Sequence, residues 1–266
     1  MPLSQLQLRI ISAICMLGVV ALVMWLGQEV FRVFVTVLFG LMIAEWFRLL
    51  SKADKWPVSP KFFISIAISV AGFVVSQSVS LHMMLAINVV TSLILLALNW
   101  GAIEKKWMAV WPFYLSVACG LTLWTYSLFG PLTLLWLLVL IWATDTGAYF
   151  TGRSIGGPKL MVTVSPNKTW SGAIGGVVAA LVSSFAFISY ASVPTMLLGE
   201  AMLIGVVTIC LSVASQAGDL FESFAKRQHN VKDSSNLIPG HGGLLDRMDG
   251  LLIAVPVAFV FLYSFA

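Results

Sequence analysis

The chain has 266 residues, of which 59% are hydrophobic and 10% charged, and its formal net charge is +4. Its mean hydropathy is +0.97. A soluble domain would carry roughly 25% charged residues, so this composition excludes an ordinary water-soluble domain. The numbers are typical of an integral membrane protein.

Apolar runs follow one another along the chain, each near the ~20 residues that cross a bilayer as a helix. Strands of a membrane barrel are shorter and alternate, so we predict an all-α polytopic membrane protein with about nine transmembrane helices. No small-residue cleavage pattern follows the first run, which predicts a retained helix rather than a signal peptide. The runs cover about Leu8–Gly27, Val30–Leu49, Phe62–Ser80, Leu81–Trp100, Met108–Phe129, Leu132–Phe150, Gly172–Tyr190, Ala201–Phe221 and Gly250–Phe265.

The basic residues predict an orientation. If the segment between Asp219 and Asp249 lies inside, nine spans put every Lys and Arg except Arg32 on that side. This is the bias that the positive-inside rule describes. We therefore expect a cytoplasmic N-terminus, a C-terminus outside, and a multi-pass protein of the cell's inner (plasma) membrane. Tryptophans near span ends are expected to be interfacial anchors; they include Trp46, Trp56, Trp107 and Trp111.

The first unusual inside loop runs from Asp145 to Gly172. Asp145 lies near the end of an apolar run, and Ser165 and Pro166 are expected to begin the next helix. A helix N-terminus beside Lys168 is a reasonable anion site. The alternative is an ordinary basic loop that precedes a capped helix.

The second inside stretch, from Asp219 to Asp249, is the most polar part of the chain. Asp246 and Asp249 are three residues apart at the beginning of the last run, so they share one face of a helix. With Asp219, at the end of the preceding run, they form a set of oxygen ligands that suits Mg²⁺. The alternative is an intramembrane ion-pair network, such as Asp246 with Arg247, that only sets helix packing.

Phosphate partners surround these acids. The segment 239–243 is rich in glycine, which lets backbone N–H groups approach a ligand closely. His241 lies within it and either contacts phosphate, acts as an acid or base, or caps the turn. His229 is expected to be only a polar loop residue. The side chains able to neutralise phosphate oxygens are those of Lys226, Arg227, Lys232 and Arg247.

Two segments carry a specific resemblance. The run from Ser223 to Asp249 resembles the signature of the phosphatidate cytidylyltransferase (CDP-diacylglycerol synthase) family. The residues around Asp145–Tyr149 and Ser165–Trp170 are similar to the same family, and the resemblance extends from about Trp142 to Pro256. Ala225 departs from the pattern, which usually has a larger apolar residue there.

The resemblance implies an enzyme that joins CTP to phosphatidic acid at the cytoplasmic face of the membrane, giving CDP-diacylglycerol and pyrophosphate. It implies Mg²⁺, with room for a second cation, either divalent or monovalent. The expected partners are CTP or dCTP, phosphatidic acid and the lipid bilayer, and no nucleic acid. No protein nucleophile is required, because the lipid phosphate attacks the α-phosphorus of CTP.

Residue roles follow from the resemblance. Asp219, Asp246 and Asp249 are expected to hold the metal, with Asp145 in support. Asp233 would orient Lys232 or contact a second cation. Lys226 and His241 are expected to take part in catalysis with the three metal-binding aspartates. The remaining expected substrate contacts are Ser165, Lys168, Thr169, Arg227, Lys232, Gly242, Gly243 and Arg247.

Two regions are predicted. Residues 1–140 would be scaffold helices with lipid-access or dimer contacts, and residues 141–266 the catalytic transmembrane region with motif loops 145–171 and 219–249. Small residues such as Gly172–Gly176 allow close helix contact, either within one chain or in a homodimer.

Three other functions compete with this one. A CDP-alcohol phosphotransferase would carry an Ala-Arg pair after its Asp-Gly, but Asp249-Gly250 is followed by Leu251-Leu252-Ile253-Ala254. A cation-coupled transporter would explain the intramembrane acids but not the clustered basic residues. The third is a family member that uses another lipid or nucleotide or has lost activity; the filled charged positions argue against loss.

Overall fold

The structure is a computed structural model that describes residues 5–50, 59–99, 105–191, 201–238 and 242–265. These residues are nearly all helical, with one small two-stranded sheet. The elements are α1 (Gln5–Trp25), α2 (Gln28–Leu50), α3 (Pro60–Ser76), α4 (Leu81–Leu98), α5 (Lys105–Ile155), β1 (Lys159–Met161), β2 (Ser165–Thr169), α6 (Trp170–Ala191), α7 (Ala201–Gln228) and α8 (Leu245–Phe265).

The helices have the length and composition of membrane spans. In the described part of the chain, six helices are long and apolar enough to cross a membrane: α2, α4, α5, α6, α7 and α8. Apolar helical stretches over Ile11–Trp25 and Pro60–Ser76 are shorter. A polytopic helical membrane protein is therefore consistent with the structure, whereas the count of nine spans and the orientation of the termini stay predictions.

Helix α5 covers two of the predicted runs. It extends over 51 residues, and Gly130 inside it has non-helical torsion angles (φ 81°, ψ 171°). Glycine reaches positive φ without the steric penalty that a Cβ would bring. The break between the runs ending at Phe129 and beginning at Leu132 thus takes the form of a kink rather than a loop.

Contacts divide the chain into two compact units. The first comprises residues 1–123 and 229–247, and the second comprises residues 124–228 and 248–266. These units are defined by packing, so they do not test the functional division that the motifs predict at residue 140.

The first unit has an aromatic core between helices. The contacts pair α1 with α2, α2 with α3 and α3 with α4. Phe39 stacks on Phe73 with ring centroids 4.4 Å apart, and Trp46 stacks on Trp111 at 4.1 Å. Both tryptophans are fully buried. The expectation that Trp46 and Trp111 are interfacial anchors is therefore wrong, because aromatic stacking in the core buries both rings; Trp56 lies outside the described residues.

The second unit joins its helices through small and polar side chains. Trp136 Nε1 donates to Ser184 Oγ at 2.6 Å, and Thr208 Oγ1 donates to the same oxygen at 3.0 Å. A Cβ on Gly147 would lie 2.4 Å from the Cβ of Ala179. Such close contacts and interhelical hydrogen bonds are the usual means by which apolar helices associate in lipid.

The segment before α6 forms a hairpin. Strands β1 and β2 pair antiparallel, and β2 packs on α6 and α7. The prediction that a helix begins at Ser165 and Pro166 is wrong, because both residues belong to β2. Proline is tolerated in a strand at an edge. Helix α6 begins at Trp170, and Thr169 Oγ1 caps it by accepting from the N–H of Gly172 at 3.1 Å.

Candidate active site

Helices α7 and α8 approach closely at two glycines of the second unit. A Cβ on Gly218 would lie 2.4 Å from the carbonyl oxygen of Asp249, and one on Gly250 would lie 2.5 Å from Ser215 Oγ. These distances are too short for any side chain larger than that of glycine. The close backbone contact places Asp219, next to Gly218, beside the segment of α8 that carries Asp249.

Three carboxylates of the second unit interact. The charges of Asp219 and Asp145 act on Asp249, and so does the charge of Lys226. One oxygen of Asp249 accepts from the N–H of Gly250 at 2.8 Å. Like charges brought together in this way repel one another, so the arrangement favours a bound cation.

Lys168 of β2 supplies positive charge to this cluster. Its Nζ lies 2.6 Å from Asp219 Oδ2, and Ser223 Oγ donates to Asp219 Oδ1 at 3.3 Å. The side chains of Lys168 and Asp219 are 26% and 35% exposed, so both are accessible to a ligand. Lys168 acts from a strand rather than from the helix N-terminus that the sequence predicted.

The end of α7 carries two more basic residues. Lys226 is buried, and its Nζ lies 3.3 Å from Oε1 of the buried Glu222. Arg227 is exposed, and its Nε donates to the carbonyl oxygen of Val164 at 3.4 Å. The ion pair orients Lys226 and limits the free rotation of a long side chain.

Asp246 belongs to the first unit. Its Oδ2 accepts from the N–H of Ser234 at 2.9 Å, from Ser234 Oγ at 3.1 Å and from the N–H of Gly243 at 2.9 Å. Because Gly243 precedes α8 and Asp246 lies in its first turn, this bond closes the turn that leads into the helix. Asp246 therefore caps the beginning of α8, whatever else it binds.

The glycines near α8 have internal partners. The N–H of Gly242 donates to the carbonyl oxygen of Ile238 at 3.1 Å, and the N–H of Gly243 donates to Asp246. Gly242 has φ +85°, which favours glycine. A Cβ on Gly243 would lie 1.8 Å from Ser234 Oγ. The local structure thus requires glycine at both positions, independently of the ligand contact predicted for them.

The other predicted substrate contacts differ in their exposure. Lys232, Asp233 and Arg247 are exposed in the first unit, and Ser165 is half-buried in β2. His241 lies outside the described residues.

Two polar residues buried in the first unit, Glu45 and His229, were not among the predicted site residues. Glu45 is fully buried on α2. His229 is buried too, with its ring edge-on to Trp46 at a centroid distance of 5.9 Å, so it is more than a polar loop residue. An acidic residue inside an apolar run indicates a functional or paired polar group, and Glu45 lies in such a run.

The carboxylates of the second unit suit a cation that also keeps water or substrate oxygens as ligands. In the described ranges, no three His, Cys, Asp or Glu side chains form a group that would hold a metal ion by themselves. Mg²⁺ in nucleotide enzymes uses one or two carboxylates and completes its shell with water and substrate phosphates. Asp219 and Asp249 fit that requirement. The role of Asp246 as a third ligand stays a prediction.

Comparison with known proteins agrees with the resemblance. The family model described as "Cytidylyltransferase family" matches residues 7–265. A phosphatidate cytidylyltransferase of Brucella suis biovar 1 (strain 1330) is 36% identical over 270 aligned residues, which cover 99% of this chain and 96% of that protein. Proteins of the same name from Haemophilus influenzae and Bacillus subtilis (strain 168) are 50% and 44% identical, over 51% and 52% of this chain and 47% and 50% of their own lengths. The chain belongs to the cytidylyltransferase family, as its motifs predicted.

Proposed function

We propose that this chain is a phosphatidate cytidylyltransferase, which transfers the CMP group of CTP to phosphatidic acid. Relatives that bear this name match the chain along its whole length. The structural observation that carries the proposal is the close approach of α7 and α8 at Gly218, which places Asp219 beside the segment that carries Asp249, with Lys168 Nζ 2.6 Å from Asp219 Oδ2.

The reaction needs no covalent intermediate with the protein. A phosphate oxygen of phosphatidic acid attacks the α-phosphorus of CTP, the bond from that phosphorus to the bridging oxygen breaks, and pyrophosphate leaves with the electron pair. Catalysis of this kind depends on alignment and charge neutralisation. The side chains described above supply fixed positive charge and oxygen ligands for both purposes.

Asp219 and Asp249 would hold Mg²⁺, with Asp145 in support. When bound, the ion would neutralise phosphate charge. Lys168 pairs with Asp219 in this structure and would be free to turn to a phosphate oxygen once a cation neutralises that carboxylate. Lys226, oriented by Glu222, would remain beside the carboxylates as a permanent positive charge.

Other roles extend the proposal. Asp246 would add a ligand through an oxygen that its capping bonds leave available, since a carboxylate has about four acceptor positions. The exposed Arg227, Lys232 and Arg247 would bind triphosphate or lipid phosphate, and Asp233 would orient Lys232. His241, Gly242, Gly243, Ser165 and Thr169 complete the proposed substrate contacts.

We further propose that the site faces the cytoplasm at the inner membrane. The distribution of Lys and Arg supports this orientation. CTP would then arrive from the cytosol, and the lipid would arrive sideways from the inner leaflet. Family membership argues against the alternative of a cation-coupled transporter.

The test is a reconstituted reaction. Purified protein in detergent receives phosphatidic acid, labelled CTP and Mg²⁺, with dCTP, other nucleotides and a chelator in parallel. A labelled lipid that forms with CTP, and that disappears with the chelator and with Asp219→Asn, supports the proposal. The matched control is Glu29→Gln, because the side chain of Glu29 is 78% exposed and pairs with Arg32 three residues on. Absence of labelled lipid with every nucleotide would overturn the assignment.

A further inference from the structure

We propose that Glu45 is a positioning residue that holds the beginning of α8 and, through Ser234, the carboxylate of Asp246. The inference deepens the proposed function and rests on it only where turnover is measured. Glu45 has 0% exposure and lies on α2, about two hundred residues before its partners in sequence. A buried carboxylate in an apolar helix is unfavourable unless several donors surround it.

Hydrogen-bond donors surround both oxygens of Glu45. Oε1 accepts from the N–H of Leu244 at 2.9 Å and from Ser235 Oγ in a short hydrogen bond. Oε2 accepts from the N–H of Leu245 at 2.9 Å and lies 3.3 Å from Ser234 Oγ. Each oxygen therefore receives one backbone N–H group and lies within hydrogen-bond distance of one hydroxyl, and the single proton of Ser234 is shared between Glu45 and Asp246. This is a built site for a carboxylate rather than a chance contact.

The two N–H groups belong to the beginning of α8. The first N–H groups of a helix lack partners within it and, with the helix dipole, attract an anion. In many nucleotide enzymes that anion is a substrate phosphate. Here Glu45 takes the position, so these N–H groups of Leu244 and Leu245 are not available to substrate. Phosphate binding must instead rely on side chains.

Ser234 connects Glu45 to Asp246. Its Oγ lies 3.3 Å from Glu45 Oε2 and 3.1 Å from Asp246 Oδ2, and its N–H donates to Asp246 at 2.9 Å. Gly243 allows this packing, because a Cβ there would lie 1.8 Å from Ser234 Oγ and 3.1 Å from Glu45 Oε1. A shift of Glu45 would therefore move Ser234 and change the position of the Asp246 carboxylate.

The decisive variant is Glu45→Gln, which keeps the shape of the side chain. Whichever way the amide turns, its NH₂ group faces a backbone N–H, so at least one N–H at the beginning of α8 loses its acceptor. We expect faster hydrogen–deuterium exchange in peptides that cover residues 234–246, with exchange elsewhere unchanged. We also expect turnover per folded molecule to fall about 10- to 100-fold, the range seen when residues that orient a ligand are removed.

The controls separate positioning from general stability. Turnover is measured well below the unfolding temperature, where a residue important only for stability would leave the rate per folded molecule unchanged. Glu29→Gln, the exposed counterpart on the same helix, should change neither exchange nor rate. Ser235→Ala removes one donor but keeps the carboxylate, so it should give a smaller effect of the same kind. If Glu45→Gln does not fold, Ser235→Ala takes its place as the test.

A double variant tests whether Glu45 acts through Ser234. If Glu45 acts through Ser234, the rate loss of Glu45→Gln combined with Ser234→Ala should be smaller than the product of the two separate losses. Native exchange at residues 234–246, or a wild-type rate, in a folded Glu45→Gln or Ser235→Ala variant would overturn the inference. Exchange is measured without substrate, so failure of the wild-type protein to make lipid would reject the proposed function and leave this structural result intact.

Discussion

Replacing Gly218 by alanine is expected to slow cytidylyl transfer about 100-fold. The new Cβ would lie 2.4 Å from the carbonyl oxygen of Asp249. Carbon and oxygen in contact are normally about 3.3 Å apart or more, so α7 and α8 would have to separate by about 1 Å. Because Asp219 and Asp249 lie on either side of this contact, their separation would change by a similar amount. A displacement of about 1 Å in a catalytic arrangement costs on the order of 10²-fold in rate.

The same helix offers a matched control. A Cβ on Gly205, also in α7, would meet no atom within 4 Å. Gly205→Ala makes the same chemical change without the clash, and alanine is the better helix former by up to about 1 kcal/mol. We therefore expect Gly205→Ala to keep the wild-type rate and at least the wild-type thermal stability. Gly218→Ala should also lose about 1–3 kcal/mol of stability through overpacking.

The assay is formation of labelled lipid from labelled CTP and phosphatidic acid, beside a thermal unfolding curve for each variant. Rates are compared per folded molecule at a temperature where every variant is folded. If Gly218→Ala turns over at the wild-type rate, the close contact of α7 and α8 does not position the carboxylates, and the reasoning is wrong. Equal rate losses in both glycine variants would refute it too.

Three further substitutions test separate parts of the site. Asp249→Asn should abolish turnover while the protein stays folded, and retained activity would remove Asp249 from the cation site. Lys168→Ala should raise the KM of at least one substrate about 10-fold, equivalent to about 1.4 kcal/mol, through loss of a phosphate partner; unchanged KM values for both substrates would contradict this role. Thr169→Ala should lower the free energy of unfolding by about 0.5–2 kcal/mol by removing the cap of α6, and an unchanged unfolding curve would show that this cap contributes little.

Local signals in the chain were sufficient for a nearly all-helical protein with apolar helices long enough to cross a membrane, and for the family. Apolar runs of the right length predict helices because the bilayer core offers backbone groups no other partners. The spacing of Asp246 and Asp249 predicts one face of one helix, since three residues make nearly one turn, and both residues belong to α8. These patterns depend only on neighbours in sequence.

The errors arose where tertiary contacts overrule local preference. Ser165 and Pro166 have the preferences of a helix start, yet pairing with β1 makes them a strand and delays the helix to Trp170. Trp46 and Trp111 have the composition of interfacial anchors, yet they stack in the core of the first unit. Local preference amounts to tenths of a kilocalorie per residue, whereas burial of a large aromatic side chain contributes more.

The residues of the segment from Asp219 to Asp249 carry the family resemblance, and the sequence alone determined the family. Only the tertiary structure decided which of them are combined: Asp219 and Asp249 beside Lys168 in the second unit, and Asp246 in the hydrogen bonds of Ser234 and Gly243. It also revealed Glu45, whose partners lie far away along the chain. The physical reason is that a single sequence encodes composition and periodicity locally, while close helix contacts and buried hydrogen bonds join residues that only folding brings together.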